Sequence, residues 1–487
     1  MNLSIIRFII GSVLAIEGGL MLPFSVAGFA YREEEAMAYV IVGVCTLLLG
    51  LMLRWKKPAS TVFYLKEGCV STALCWIVMS IMGCLPFLIT GEIGSFTDAM
   101  FETVSGFTTT GASILTDVES MSHVSLLWRS FTHWIGGMGV LVFVLAILPL
   151  NGGSHMNLMR AESPGPSVGK LVPKVRSTAR ILYLIYIGLT VLTFIALLAA
   201  GMPLFDALNT AFGTAGTGGF GIKADSLAGY SPAVQWTVTF FLILFGINFN
   251  AYYFLLLRRF KEAFTMEEVR TYLLIILGAV AVIFLDIRHL CQGAFDTLTK
   301  AAFQVASIIT TAGYATTDFD LWPSTSKFIL VLLMFIGACA GSTGGGMKVS
   351  RFVIAGKTIR KEIGSYVHPK SIKKIQMDGK PIEHDVVRST NVYFMTYLFL
   401  FALFVFLISL EGQDLVTSFT AVAATFNNVG PGLGAVGPMY SFAGLTVFSK
   451  WVLTFAMLAG RLELFPMLML FHPTLWKDSF FSSRKES

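Results

Sequence analysis

The sequence predicts an all-α membrane protein in which four pseudo-symmetric helix, pore-helix, helix units surround one ion pore, with an additional N-terminal helix pair. Three observations predict it. Hydrophobic residues make up 55% of the 487 and charged residues only 13%, and the mean hydropathy of +0.73 means more apolar surface than a water-soluble core of this length uses. Four times a membrane-length apolar stretch is followed by a short amphipathic segment, a glycine-bearing turn and a second long apolar stretch. Lysine and arginine crowd onto alternate loops, which sets one orientation in a bilayer.

A membrane helix needs about 20 apolar residues, and ten stretches qualify, near 4–25, 36–53, 69–90, 126–150, 179–200, 233–257, 269–287, 325–357, 390–410 and 444–471. The first runs into Pro23 with no small-residue cleavage site, so it reads as a retained span and not a signal peptide. Segments beginning near Phe96, Leu204, Ala294 and Asp414 are too short to span and read as re-entrant pore helices. Asp98 precedes Gly111 by the same interval as Asp206 precedes Gly219, each carboxylate sitting at a helix start where the macrodipole favours it. The units therefore divide as 1–66 for the N-terminal pair, then 67–152, 153–262, 263–385 and 386–487 for pore units one to four.

The turns read Thr108-Thr109-Thr110-Gly111-Ala112, Gly216-Thr217-Gly218-Gly219-Phe220, Thr310-Thr311-Ala312-Gly313-Tyr314 and Asn427-Asn428-Val429-Gly430-Pro431. A ring of backbone carbonyls can replace the water shell of a small cation, and aiming a carbonyl at the axis needs a dihedral that glycine adopts freely. Threonine and asparagine beside each glycine can brace the loop by side-chain bonds to backbone. The candidate filter is thus Thr109, Thr110 and Gly111; Thr217 with Gly218 and Gly219, of which Gly219, followed by the aromatic Phe220, is favoured as the turn glycine and Gly218 is the alternative; Thr311, Ala312 and Gly313; and Asn428, Val429 and Gly430. A lone glycine turn is often just a tight connection; four at matching places favour a monovalent-cation pathway.

In the third unit the apolar stretch is broken at Gly341-Ser342-Thr343-Gly344-Gly345-Gly346, a run that costs about 1 kcal/mol of helix stability per glycine. Unwound backbone survives in a bilayer only when buried in protein or lining a cavity, so this segment is expected to cross the pore below the filter. The competing phosphate-loop reading fails because Met347 intervenes before Lys348 and Val349 follows it. Arg461 in the last long stretch is expensive at membrane depth unless it faces water or a partner; a snorkelling arginine paired with Glu463 is the bland alternative. Glu102 can brace the first pore helix, and Asp286 marks a helix end.

With both ends cytoplasmic, most lysine and arginine fall inside, including the run from Lys348 to Arg388, while Arg32, Arg129, Lys223, Arg288, Lys300, Lys327 and Lys450 remain outside. Topology accounts for the net charge of +6, and lipid head groups rather than nucleic acid are the partner it implies. Six cysteines give no disulfide framework, and seven scattered histidines give neither a ligand spacing nor an enzyme signature. A secondary transporter coupled to sodium or protons is the alternative, but it would show two inverted halves rather than four units of one direction.

The four turns together with Gly341-Ser342-Thr343-Gly344-Gly345-Gly346-Met347-Lys348 resemble the Trk/Ktr/HKT superfamily of potassium uptake proteins over essentially the whole chain, and the N-terminal pair resembles its TrkH branch. The resemblance implies potassium ions in the filter and no other cofactor. It implies an intramembrane gating loop over Ala340, Gly341, Ser342, Thr343, Gly344, Gly345, Gly346 and Lys348, with Arg461 as an electrostatic barrier and loop anchor. It also implies a homodimer in a bacterial cytoplasmic membrane, regulated by a cytosolic nucleotide-binding ring of the TrkA type docked on the basic inner loops.

Overall fold

The computed structural model describes residues 1–58, 64–139, 175–369, 374–473 and 475. Apart from a two-residue antiparallel ladder, Gln376–Met377 with Lys380–Pro381, the regular structure there is helical. The N-terminal pair is α1 (Leu3–Ala30) and α2 (Ala36–Arg54). Pro23 lies within α1, which runs on to Ala30; lipid-embedded helices tolerate this when neighbours re-satisfy the freed backbone. The two helices meet through glycines. A Cβ on Gly11 would lie 2.8 Å from the Gly50 carbonyl oxygen, and one on Gly18 2.5 Å from that of Gly43. Small residues bring backbones together where close packing, not water, drives association.

The first unit comprises α3 (Leu65–Thr90), the short α4 (Phe96–Phe107) and α5 (His123–Gly137). The second comprises α6 (Val175–Ala199), short α7 (Leu204–Gly216), and α8 (Pro232–Gly246) with α9 (Phe249–Leu256). After the one-turn α10 (Phe260–Thr265), the third has α11 (Glu267–Ile287), short α12 (Ala294–Ile309), α13 (Ser324–Ile336) and α14 (Val349–Val367). The fourth has α15 (His384–Ser409), short α16 (Leu415–Phe426), α17 (Val447–Arg461) and α18 (Phe465–Met469). The four short helices begin where the sequence places them, the last capped by the Asp414 carboxylate, which accepts from Thr417 N at 3.0 Å. At 12, 13, 16 and 12 residues, none reaches the roughly 17 needed to cross a bilayer.

Ten membrane-length stretches are expected, the one at 325–357 broken at its glycine run. Among the described residues six helices are long and apolar enough to cross unbroken, and α8 with α9 passes the same test only as a pair, bent by 88°. The stretch 325–357 is two helices with 337–348 non-helical between them. The last span divides at Leu462–Leu464, where Glu463 and Leu464 take φ of 56° and 68°. Helix α5 closes at Gly137, and 140–150 of its expected span lies outside the described residues. These breaks fall on the second long helix of a unit, after its glycine turn, where side chains and neighbouring loops supply the hydrogen bonds the helix gives up. Outward residues such as Leu274, Leu277 and Leu285 of α11 and Met395, Leu398 and Phe399 of α15 are exposed apolar surface, as a multi-pass membrane protein presents to lipid.

Candidate functional site

All four short helices end identically. The amides of Thr109, Thr217, Thr311 and Asn428 donate to carbonyls three residues back, at 3.0–3.2 Å, and those of Thr110, Gly218, Ala312 and Val429 to carbonyls five back, at 2.7–2.9 Å. This is the Schellman pair, which places its hinge residue in the left-handed region, and Thr109, Thr217, Thr311 and Asn428 have φ of 54°, 52°, 60° and 56°. Asparagine tolerates that conformation; β-branched threonine does not, so three copies mark strain of about 1–3 kcal/mol each held by surrounding structure. Two residues on, Gly111, Gly219, Gly313 and Gly430 have φ of 80°, 77°, 80° and 106°. The matching dihedrals give Gly219 the place of the other three. Gly218 sits where Thr110, Ala312 and Val429 sit, and needs to be glycine because a Cβ there would enter the His133 ring.

The turns close on one another in sequence order. A Cβ on Gly111 would fall on the Gly218 carbonyl oxygen, one on Gly219 on that of Ala312, one on Gly313 on that of Val429, and one on Gly430 would lie 2.8 Å from that of Thr110. Each turn thus fills its neighbour's missing side chain with backbone. Asn428 Nδ2 adds a direct tie to Thr110 Oγ1 at 3.0 Å. Outside, the four glycines line an open vestibule together with Arg129, Lys223 and Tyr440. The C-terminal ends of α4, α7, α12 and α16 lead directly into the turns, so their partial negative charge is directed at this ring.

Buried groups brace the ring from behind. Glu102 of α4 pairs with Arg129 of α5 at 2.6 Å and accepts from Ser113 Oγ and Ile114 N at 2.9 Å. Arg129 also donates to the Gly221 carbonyl at 2.8 Å and stacks 3.6 Å over the Phe220 ring. One ion pair therefore joins the strands leaving the first and second turns. His133 lies 2.8 Å from the Gly106 carbonyl through Nδ1 and accepts from Phe220 N through Nε2 at 3.2 Å. Lys450 of α17 reaches Asp98 of α4 at 2.6 Å. Of the expected braces, Thr110, Thr217, Thr311 and Asn428 make side-chain bonds, and Thr109 Oγ1 has no partner among the described residues.

Residues 337–348 lie directly beneath. Gly345 N donates to Thr311 Oγ1 at 2.5 Å, Gly346 N to the Asn427 carbonyl at 3.0 Å, and Thr217 Oγ1 reaches Thr343 Oγ1 at 3.4 Å. At the other end Phe249 N donates to the Gly341 carbonyl and Cys339 N to that of Gly246, at 3.0 and 3.1 Å, which joins the loop to the bend between α8 and α9. Glu268 of α11 accepts from Ala340 N at 2.6 Å, Ser350 N at 3.2 Å and Asn248 Nδ2 at 3.1 Å. Ser342 Oγ bonds the Cys339 carbonyl, and Lys348 bonds the Gly344 carbonyl within the loop. Gly344 packs where a Cβ would meet the Thr310 carbonyl oxygen at 2.7 Å.

Arg461 holds three carbonyls: Thr343 of the loop at 3.0 Å, and Gly136 and Gly137 at the end of α5 at 2.5 and 2.9 Å. The pairing with Glu463 does not occur. Glu463 instead meets Arg351 of α14 at 2.7 Å, because its left-handed backbone turns it away from the end of α17.

A sequence profile of the TrkH family, a family of cation transport proteins, matches residues 35–483. The chain belongs to the TrkH family. It is 35% identical over 486 residues to the Trk system potassium uptake protein TrkH of Salmonella typhimurium, covering 98% of this chain and all of that one. It is 34% identical over 466 residues to the Trk system potassium uptake protein TrkG of Escherichia coli, covering 94% and 95%. The crystal structure of the potassium transporter TrkH from Vibrio parahaemolyticus matches at a TM-score of 0.87 and 33% identity over 98% of this chain and 100% of that one. The resemblance read from the turns is thereby established, and a TrkH-family chain is a transport protein, not an enzyme.

Within this TrkH-family chain, every candidate turn residue meets at one ring and every loop residue lies below it. Sequence reasoning missed Glu268, which looked like an ordinary first-turn acid beside Glu267. It also left Arg129, His133 and Lys450 as loop or interfacial residues, although Arg129 and His133 are 3% and 0% exposed; a charged residue within an apolar helix was the available signal.

Proposed function

We propose that this chain takes up potassium through a channel-like pore whose selectivity filter is the ring of four turns and whose gate is the loop 340–348. The observation that carries the reading is the closed ring, in which four backbones of the same left-handed signature offer successive carbonyls around one vestibule. Potassium is the cation named for the relatives, and carbonyl coordination in place of water suits it. Membrane potential drives entry at about 2.3 kcal/mol per charge per 100 mV. Four turns closing on one another around a single vestibule support a pore over a carrier of two inverted halves, and coupling to sodium or protons forms no part of the reading.

The gate reading rests on the loop's position against Thr217, Thr311 and Asn427 and on Arg461, which sets a positive charge beside the expected path. Regulation follows from continuity: the loop runs through Lys348 into α14, whose far half exposes Arg360 and Lys361. A cytosolic nucleotide-binding ring of the TrkA type docked on the basic surface between Ser350 and Arg388 would pull or release the loop through one helix. A homodimer in the bacterial cytoplasmic membrane, both termini inside, completes the proposal. Purified protein in liposomes, given opposed potassium and sodium gradients, tests it: potassium and rubidium flux should exceed sodium flux and follow an imposed potential, and equal fluxes would remove the filter assignment.

A further inference from the structure

Glu268 stands in the first turn of α11, 3% exposed, at the neck of the loop. There the two ends of the non-helical segment 337–348 come together. Val349 N donates to the Ala338 carbonyl at 3.1 Å, and one carboxylate oxygen of Glu268, Oε1, accepts from Ala340 N on the entering side and Ser350 N on the leaving side, at 2.6 and 3.2 Å. The other, Oε2, accepts from Asn248 Nδ2 at 3.1 Å, at the bend between α8 and α9. All three partners are N–H donors, which suits an acceptor-only carboxylate and not an amide. Asn248 is not free to turn over, because its Oδ1 accepts from Asn250 N at 3.0 Å and caps α9. The turn that carries Glu268 is itself fixed from the inner surface: Glu267 N donates to Asp378 Oδ1 at 2.7 Å, and Lys357 of α14 pairs with Glu267.

We propose that Glu268 is the positioning residue that holds the gating loop shut, a clasp joining the loop's entrance, the start of α14 and the α8–α9 bend through one carboxylate. This rests on the gate reading above. While Oε1 holds both amides, α14 cannot draw Ser350 away from Ala340, so a pull along α14 opens the loop only after the clasp gives. Hydrogen bonds to an ionised acceptor are about twice as strong as neutral ones, which suits a group that must hold against such a pull.

Glu268→Gln tests this, measured on the full chain without regulator by hydrogen exchange in lipid nanodiscs and by rubidium uptake into proteoliposomes. The introduced NH2 group must face either Asn248 Nδ2 or the amides of Ala340 and Ser350. Exchange of the amides at 338–350 should therefore quicken at least about tenfold, and uptake should rise by a like factor, the lower range for losing one hydrogen bond to a charged acceptor. Asn248→Asp alone sets two carboxylates against each other and should act in the same direction. Combining the two substitutions restores complementary pairing, since the new carboxylate both caps α9 and accepts from the new amide. Exchange and uptake should then return towards the unmodified level, a reversal that general destabilisation does not give. If Glu268→Gln fails to fold, Glu268→Asp, one methylene shorter and unable to reach Ala340 and Ser350 together, should give the same quickening. Unchanged loop exchange in a well-folded single variant, or a double variant no closer to the unmodified protein than either single one, overturns the clasp and leaves the gate reading to be tested at Arg461. Quickened loop exchange with no rise in uptake supports the clasp and removes the gate reading instead.

Discussion

Replacing Arg461 by alanine should raise cation uptake in the absence of any regulator. Among the described residues the guanidinium donates to the Gly136 and Gly137 carbonyls, which end α5, and to that of Thr343, which belongs to the loop. For the loop to leave the pathway the Arg461 bond to Thr343 must break along with the loop's ties to the turns: a hydrogen bond from a charged donor, worth about 1.5–3 kcal/mol. Removing it shifts the balance between closed and open loop by about tenfold to about a hundredfold. The same change removes a positive charge beside the path; repulsion of a permeating ion at about 4 Å is about 4 kcal/mol at an effective dielectric constant of about 20, before screening by pore water, and acts in the same direction. Arg461→Lys separates the two contributions, since it keeps the charge and loses the fork that reaches several carbonyls at once; its uptake should fall between the other two. The assay is radiotracer rubidium uptake into proteoliposomes at fixed potential, normalised to monodisperse protein by size-exclusion chromatography. A latch that is only structural predicts the opposite sign. Well-folded Arg461→Ala protein with uptake at or below the unmodified level would refute the reasoning.

Three further outcomes follow from the ring, its brace and the inner surface. Gly219→Ala places a side chain at φ of 77° and onto the Ala312 carbonyl, costing at least about 1–2 kcal/mol locally; the rubidium-to-sodium flux ratio should drop, as it should for Gly111→Ser, and an unchanged ratio in both would detach these glycines from selectivity. Arg129→Met leaves Glu102 buried and unpaired, a loss of about 3–5 kcal/mol readable as a lower unfolding midpoint in detergent, and adding Glu102→Gln should recover part of it; a double variant no better than the single one contradicts the pairing. Charge reversal at Lys370, Lys373 and Lys374, the first two outside the described residues, should weaken co-purification of a nucleotide-binding partner and leave basal uptake alone, and undiminished capture would move the docking surface elsewhere.

The starts of the four short helices and the position of each turn were legible because their signals are local: an acid or proline at a helix start, a length too short to span, a glycine at the end. In the second turn Phe220 favours Gly219 and the dihedral agrees, whereas the need for glycine at Gly218, set by the His133 ring, was not legible. Periodicity carries no information about a histidine on another helix. The interrupted long helices were only partly legible. The glycine run announced the break after α13, whereas the bend at Asn248 and the turn at Glu463 lie in stretches whose hydropathy is continuous. Glu268 shows the general difficulty: an acid in a first turn satisfies a local rule completely, and its bonds to Ala340 and Ser350 cross more than 70 residues of sequence.

The ring also explains how three left-handed threonines persist. A single turn has nothing to hold Thr109, Thr217 or Thr311 in a conformation costing about 1–3 kcal/mol, and no glycine pocket is filled until the next turn's carbonyl arrives. The geometry is therefore a property of the assembled four units, fixed from outside by Glu102 with Arg129 and by His133. From below it is fixed by bonds that belong to the loop: Gly345 to Thr311, Gly346 to Asn427, Thr343 to Thr217. These reach the second, third and fourth turns, while the first is held by Thr108 to Thr110 at 2.7 Å and by the Glu102 cluster. A loop that moves aside releases ties on three turns and leaves the first braced, so loop and ring share hydrogen bonds and neither can rearrange without altering what supports the other.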